Sequence, residues 1–274
     1  MQLAGVEFKM KLDINSAALT DRGLRRKSNE DAVFHRSGHM INGQKAGLYL
    51  VCDGLGGHQA GEVASHLAVK TVTARLEPIL FAPPSRPANG QIPISTAAWP
   101  DHIEAAITQA NAEIRSYAHT HVLTGRARPG TTLTLALIEG DRVQIANVGD
   151  SRTYVWRAGQ VIQITRDHSW AARLVRLGVI GEDEMAQNNW GHRLTQSLGP
   201  KDRIVVDLSR WDLQPGDKLL LCSDGLWQAF PDSADLALWL GTDAAPAELC
   251  RQLVAEARRR DGSDNISAVV VVVN

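Results

Sequence analysis

The sequence predicts an α+β fold, a sandwich of antiparallel strands with helices. Three observations carry it. Apolar runs with the two-residue period of strands recur along the chain, the helical 3.6-residue period is confined to two groups, and the two kinds do not alternate as a doubly wound parallel sheet requires. At 274 residues the chain can bury roughly three quarters of its unfolded surface, enough for one large domain or two ordinary ones. With 44% apolar, 22% charged and 5% aromatic residues it has an ordinary globular composition, which excludes disorder of the whole chain.

Residues 1–12 read as a tail or an edge strand ahead of a single domain over 13–274. Between 14 and 34 two short apolar stretches flank the polar loop DRGLRRKSNED. GLYLVC (47–52) is apolar without interruption, the mark of a buried strand, and runs straight into DGLGG. Over 59–80 the positions Val63, Leu67, Val69, Val72 and Leu76 follow helical spacing, with Pro78 marking the end. Residues 81–100 hold five of the eleven prolines and read as an irregular excursion. A second helix is expected over 101–121, capped by Asp101, with Ile103, Ala106, Ile107, Ala110 and Ile114 on one face.

The period then changes to two. Residues 131–138, 142–148 and 152–157 alternate like half-buried strands of an antiparallel meander, turning at Glu139-Gly140-Asp141 and Gly149-Asp150. Residues 165–199 are polar and interrupted, a surface segment with short helical pieces at 169–177 and 182–187. Strands are expected at 203–208, 217–222 and 266–273, and helices at 233–240 and 246–260.

Composition also removes function classes. Twenty-nine Lys and Arg against thirty Asp and Glu leave a formal charge of −1, so no global field favours nucleic acid or an anionic membrane. The longest apolar run, 268–273, is far short of the ~20 residues that span a bilayer, so no membrane insertion is expected. The N-terminus lacks the apolar centre of a secretory signal. Cys52, Cys222 and Cys250 cannot all pair within one chain and form no CxxC, which points to reduced thiols and a cytoplasmic location. The basic run Arg258-Arg259-Arg260 ends a predicted helix, where cations favour the macrodipole.

The chemistry lies in a recurrence. Asp53-Gly54 follows LYLVC, Asp224-Gly225 follows KLLLCS, and Asp264-Asn265 precedes ISAVVVVV, so three carboxylates stand at the ends of apolar strands. One Asp-Gly is ordinarily a turn. Three of them, joined by Glu30-Asp31, would repel one another in a shared site unless cations neutralised them. Hard oxygen ligands without Cys or His spacing select Mg²⁺ or Mn²⁺ over zinc. Two such ions can acidify a water and clamp a phosphoryl group, and Arg22, Arg25, Arg26 and Lys27 lie directly before Asn29-Glu30-Asp31. A solvated basic loop is the alternative reading of that cluster.

The ordered set GLRRKSNEDA (23–32), LVCDGLGGHQAGEVAS (50–65), PGTTLTLAL (129–137), NVGDSRTYVWRAG (147–159), LCSDGLW (221–227) and DNISAVVV (264–271) resembles the PPM family, the type 2C metal-dependent serine/threonine protein phosphatases, in its bacterial branch. The resemblance implies a four-layer α-β-β-α sandwich with two central antiparallel sheets flanked by helices. It implies hydrolysis of phosphoserine and phosphothreonine by direct attack of a metal-bridging water or hydroxide, without a phosphoenzyme. Asp53 would bridge two Mn²⁺ or Mg²⁺ ions, the Gly54 carbonyl would bind one of them, and Asp224 and Asp264 would complete the other. Glu30 and Asp31 would act through metal-bound waters, and Arg26 would take the substrate phosphate. Asp150 matches the aspartate tied to a third, weaker ion. The partners implied are phosphorylated Ser/Thr proteins, a cognate kinase among them, and a monomer is expected.

Two positions depart from the family pattern. Leu55 stands where the eukaryotic branch has its proposed general acid, and the nearest histidine, His58, reads as a helix-start residue. Gln228 stands where many relatives have an acidic residue that assists the third ion, which weakens the case for an ion at Asp150. Residues 165–199 match the family's variable flap, where Trp170 and Trp190 either meet substrate or anchor the flap. Cys52 and Cys222, beside metal aspartates, are either redox-sensitive or buried and inert.

Three rival functions match parts of the sequence. A dinucleotide-binding enzyme fails because, after Gly54 and Gly56, the third required small residue falls on Gln59. There is no GxxxxGK[ST], HExxH or GxSxG. A pseudophosphatase that binds phosphoproteins without turnover, and a hydrolase of small phosphomonoesters, share the same site residues.

Overall fold

The computed structural model describes residues 12–40, 42–56, 59–81, 98–121, 128–181, 184 and 193–274. Five strands, β1 (Ile14–Asp21), β12 (Ile266–Val273), β11 (Lys218–Cys222), β8 (Arg152–Arg157) and β9 (Gln160–Gln163), form one antiparallel sheet in that order. The second runs β10 (Asp207–Asp212), β7 (Arg142–Val148), β6 (Leu133–Glu139), β3 (Lys45–Cys52) and β2 (Ala32–His39). A short pair, β4 (Gly54–Leu55) with β5 (Gly130–Thr131), extends beyond β3.

Alternation along each central strand divides its side chains between two cores. On β3, Leu48, Leu50 and Cys52 pack under α1 (Gln59–Leu80) and α2 (Trp99–Thr120), while Tyr49 and Val51 point between the sheets. On β12, Ile266, Ala268 and Val270 pack under α4 (Asp224–Trp227), α5 (Ser233–Leu240) and α6 (Pro246–Arg260), and Val269, Val271 and Val273 face inward. Three apolar layers therefore lie between four layers of structure, in the expected α-β-β-α order. Buried on both faces, such strands are uniformly apolar, and each large side chain shut away contributes about 1.5–3 kcal/mol.

Several expectations needed correction. The second helix begins at Trp99 with Ala98 at its N-cap and Pro100 in its first turn, so Asp101 favours the dipole without capping. The first helix spans Gln59–Leu80 as expected, with Pro78 inside its last turn. The supposed meander divides, since β6 and β7 pair in one sheet whereas β8 crosses at Gly149-Asp150 to join β11 and β9. The strand placed at 203–208 forms at Asp207–Asp212, because Ile204 and Val206 pack against the α1–α2 core before pairing with β7 begins. The single turn α4 carrying Asp224, strand β9 and the pair β4–β5 had no separate sequence signal. The helical piece at 182–187, all but residue 184, and residues 1–11 lie outside the described residues.

Candidate metal centre

Register brings the carboxylates to one end of the sandwich. In the β2–β3 pair Ala32 faces Cys52, so Asp31 and Asp53 flank the same edge. In β11–β12 Cys222 faces Ala268, and beyond it the Ser223 N–H donates to the Ser267 carbonyl at 3.2 Å, which puts Asp224 and Asp264 past one end. Cys222 also faces Arg152, so Asp150 lies there too. Within the second sheet the Thr132 N–H donates to the Asp53 carbonyl at 2.9 Å, and Thr132 meets the first sheet where its Oγ1 hydrogen-bonds Ser151 Oγ, directly before β8, at 2.7 Å.

Hydrogen bonds hold backbone and supporting side chains while the acids face the cleft. The Asp53 N–H donates to Thr132 Oγ1, and its carbonyl accepts from Thr131 Oγ1, both at 2.9 Å. Asp31 Oδ2 accepts from Ser223 Oγ at 2.8 Å and Ser267 Oγ at 2.6 Å. Its Oδ1 is buried with no hydrogen-bond partner among the described residues. Asn265 fastens the basic loop, donating Nδ2 to the carbonyls of Arg22 and Ser28 and accepting from the Glu30 N–H at 2.8 Å. Gly54 and Gly61 let three backbones meet, since a Cβ on Gly54 would run into the Gly61 and Glu30 carbonyls and one on Gly61 would strike Glu30 Oε2.

These carboxylates perturb one another. Burial, then the charges of Asp31, Asp224, Asp150 and Asp264, holds Asp53 well above the usual carboxylate range. Burial likewise pushes Asp31 up to about 7 against the hydrogen bonds from Ser267 and Ser223, with Asp224 and Asp264 adding repulsion. Asp150 is raised by burial and then by Asp224 and Asp167. Arg26 is opposed by burial, yet its hydrogen bond to Asp264 and the charges of Asp264, Asp53 and Glu30 raise it overall.

Arg26 thus stands at the rim, with Nη2 on Asp264 Oδ2 at 2.5 Å and its side chain 51% exposed. Among the described residues no three carboxylates, histidines or cysteines close into a ready-made ligand shell; Arg26 occupies Asp264 and hydroxyls occupy one oxygen of Asp31. The donor set nevertheless fits hard divalent cations. It offers carboxylate and backbone oxygens, a buried Asp31 Oδ1 that lacks a donor, and clustered negative charge that a cation would relieve.

Gln228 donates Nε2 to Asp224 Oδ2 at 3.1 Å, so at this position a neutral hydrogen bond replaces a further carboxylate. The Trp170 side chain, at the start of α3 (Trp170–Arg176), leaves the residue 41% exposed and does not anchor the flap; the Trp170 N–H to the Arg193 carbonyl at 2.9 Å, buried Ala171 and the bridges Ser169–Leu194 and Thr131–Leu198 do. His58 and Trp190 lie outside the described residues.

Cys52 and Cys222 point into the two helix-covered cores, away from the cleft, and burial raises both thiols. Burial pushes Cys250 up to about 11. The inert reading therefore holds, and Ellman's reagent is expected to label none of the three in the native protein and all three in denaturant. Fast native labelling of Cys52 or Cys222 would reinstate a redox role.

Asn265, Ser223, Ser267, Thr131 and Thr132 were not singled out from sequence as supports of the site. Their signal was small polar residues at the ends of strongly apolar strands, which have no reason to be buried except to bind something polar.

Similar proteins share this arrangement's sequence and fold. Residues 24–257 match the family model described as protein phosphatase 2C. The serine/threonine phosphatase stp of Listeria innocua is 32% identical over 256 residues, covering 93% of this chain and 94% of that one. The S. agalactiae serine/threonine phosphatase structure superposes with a TM-score of 0.79 at 29% identity, covering 95% and 99% of the two chains. The catalytic domain of PstP in complex with two manganese ions gives a TM-score of 0.75 at 31% identity, covering 96% and 99%.

Proposed function

This chain belongs to the protein phosphatase 2C family, and we propose that it hydrolyses phosphoserine and phosphothreonine in proteins, with the acidic cleft as its metal centre and Arg26 as its phosphate contact. The observation that carries the assignment is the convergence of Asp31, Asp53, Asp150, Asp224 and Asp264 from both sheets at one end of the sandwich, with Arg26 on the rim. Divalent ions, when bound, supply an acidified water and a charge clamp for the phosphoryl group. Asp53, the Gly54 carbonyl, Asp224 and Asp264 would hold two Mn²⁺ or Mg²⁺ ions, Glu30 and Asp31 would orient water around them, and Asp150 with Asp224 would hold a third more weakly.

The protein's own groups then divide the work. Arg26 presents a planar fork to two phosphate oxygens, and releasing Asp264 frees it to do so. Thr131 and Thr132 keep the Asp53 backbone fixed, so that its carboxylate needs little reorganisation. Ser223 and Ser267 orient Asp31 by donating to one oxygen and leaving the other turned to the site. Leu55, directly after Gly54, is apolar and cannot serve as a general acid.

The substrates are phosphorylated Ser/Thr proteins, a cognate kinase among them; the family match and the serine/threonine phosphatase relatives support the phosphoprotein class. The family match over 24–257 supports a single phosphatase domain over 13–274. Three free, buried thiols support a reducing compartment such as the cytoplasm, and among the described residues no helix is long and apolar enough to cross a membrane.

Hydrolysis of p-nitrophenyl phosphate and of a phosphothreonine peptide, each with manganese and with chelator, tests the reading. Turnover of both substrates that disappears with chelator and returns with added manganese is expected. Activity that survives chelator removes the metal centre; activity on the small ester alone removes the protein substrate.

A further inference from the structure

Arg152 opens β8 two residues after Asp150, and its guanidinium is engaged on every side. Its Nε and Nη2 donate to Asp167 Oδ1 and Oδ2 at 3.0 and 2.7 Å, and its Nη1 donates to the Tyr154 hydroxyl at 3.0 Å. Its central carbon lies 3.5 Å from the centre of the Trp227 ring. The ion pair is shielded, with side-chain exposures of 14% and 3%.

Trp227 connects this assembly to the metal centre twice. It ends α4, the single turn that begins at Asp224, and its Nε1–H donates to the Asp150 carbonyl at 2.9 Å. One turn of helix has too few internal hydrogen bonds to hold its own orientation, so something outside it must aim Asp224. The two aspartates come from different places, Asp150 from the crossing between the sheets and Asp224 from the end of β11, and their charges repel. Arg152 and Trp227 touch both segments. The third member, Asp167, lies at the root of the flap, where neighbouring His168 also grips the Asp150 turn: its N–H donates to the Gly149 carbonyl and its Nδ1 accepts from the Gly149 N–H.

We propose that Arg152 is a positioning residue: stacked on Trp227 and locked to Asp167, it sets Asp150 against Asp224 and so sets the affinity for the weaker divalent cation those two carboxylates share. This rests on the reading of Asp150 as a cation ligand. A lysine cannot substitute, because a point charge has neither the flat face that stacks nor the fork that holds both oxygens of Asp167. Outer groups that orient ligands in this way govern about 10–100-fold of metal affinity.

Calorimetric titration of the full chain with Mn²⁺ tests the proposal, in wild type, Arg152→Lys, Trp227→Phe, Asp150→Ala and Asp150→Ala/Arg152→Lys, with melting of each in chelator. Wild type is expected to show tight sites and one weak site, and Asp150→Ala to lack the weak one. Arg152→Lys should weaken that site by about tenfold or more and add nothing in the Asp150→Ala background, as coupled residues require. Trp227→Phe keeps an aromatic ring beside Arg152 while removing the donor to Asp150 and part of the ring packed on the core, so it should weaken the same site, and its chelator melting confirms folding; it decides the matter if Arg152→Lys folds poorly. A weak site of wild-type affinity in Trp227→Phe and in folded Arg152→Lys overturns the proposal alone. A wild type with tight sites and no weak one removes the third-cation reading and this proposal with it, leaving the main centre standing; a wild type that binds no Mn²⁺ removes the centre itself.

Discussion

Asp53→Asn is expected to lose at least about a thousandfold in kcat with saturating manganese, a barrier increase of about 4 kcal/mol, and yet to melt higher than wild type in chelator. Both effects have one cause. Asp53 is surrounded by Asp31, Asp224, Asp150 and Asp264, whose charges oppose its ionisation, and this repulsion costs the metal-free fold stability that bound cations restore. Removing the central negative charge relieves the cluster, by an amount of order 1 kcal/mol or about 2 °C in a chain of this size, while removing the ligand expected to serve both ions. A variant that is inactive and also less stable in chelator would show that Asp53 does a structural job instead.

The same repulsion sets a pH dependence. Asp31 titrates near 3.8 when unfolded and is pushed up to about 7 in the metal-free fold. Below the lower value the group is protonated in both states and contributes nothing. Across the window between them the folded state binds the extra proton, so stability falls as pH rises and the loss is complete above about 7. The chelated protein should therefore melt lower at about pH 8 than at about pH 5, and saturating Mn²⁺ should flatten the dependence. A chelated Tm that rises over this range counts against the cluster.

Arg26→Ala is expected to lower kcat/KM about a hundredfold, through the missing phosphate contact, with little change in melting. The Arg26–Asp264 pair is open to water, with exposures of 51% and 30%, and such pairs contribute at most about 1 kcal/mol. Because Arg26 pairs with Asp264, an expected metal ligand, its removal should not weaken Mn²⁺ binding. Arg26→Lys should recover only part of the loss, since an ammonium lacks the fork. An unchanged kcat/KM for the phosphopeptide would take Arg26 out of the phosphate site, and a weakened Mn²⁺ affinity would make it a support of the metal centre.

Much of this was legible in the linear chain. The apolar strands LYLVC, KLLLC and ISAVVVVV are uninterrupted because each is buried on both faces, and their ends carry Asp53, Asp224 and Asp264. The helices over 59–80, 233–240 and 246–260 declared themselves by periodicity. The strand at β10 was misplaced because Ile204 and Val206 have strand-like composition but are used for packing onto helices. The supposed meander was misread because alternation reports burial and not the partner strand, so the crossing of β8 to the other sheet left no trace in local pattern.

By itself, then, the sequence determined which residues are acids at strand ends and which strands are buried twice over, since burial and turn chemistry act on neighbours along the chain. Only the tertiary structure decided that five carboxylates from both sheets share one end of the sandwich, that Arg26 pairs with Asp264, that Asn265, Ser223 and Ser267 bond to the acidic segments, and that Arg152 stacks on Trp227. Those contacts join residues up to 243 positions apart; they depend on strand register and on which sheet a strand enters, and both are settled by how the layers pack together.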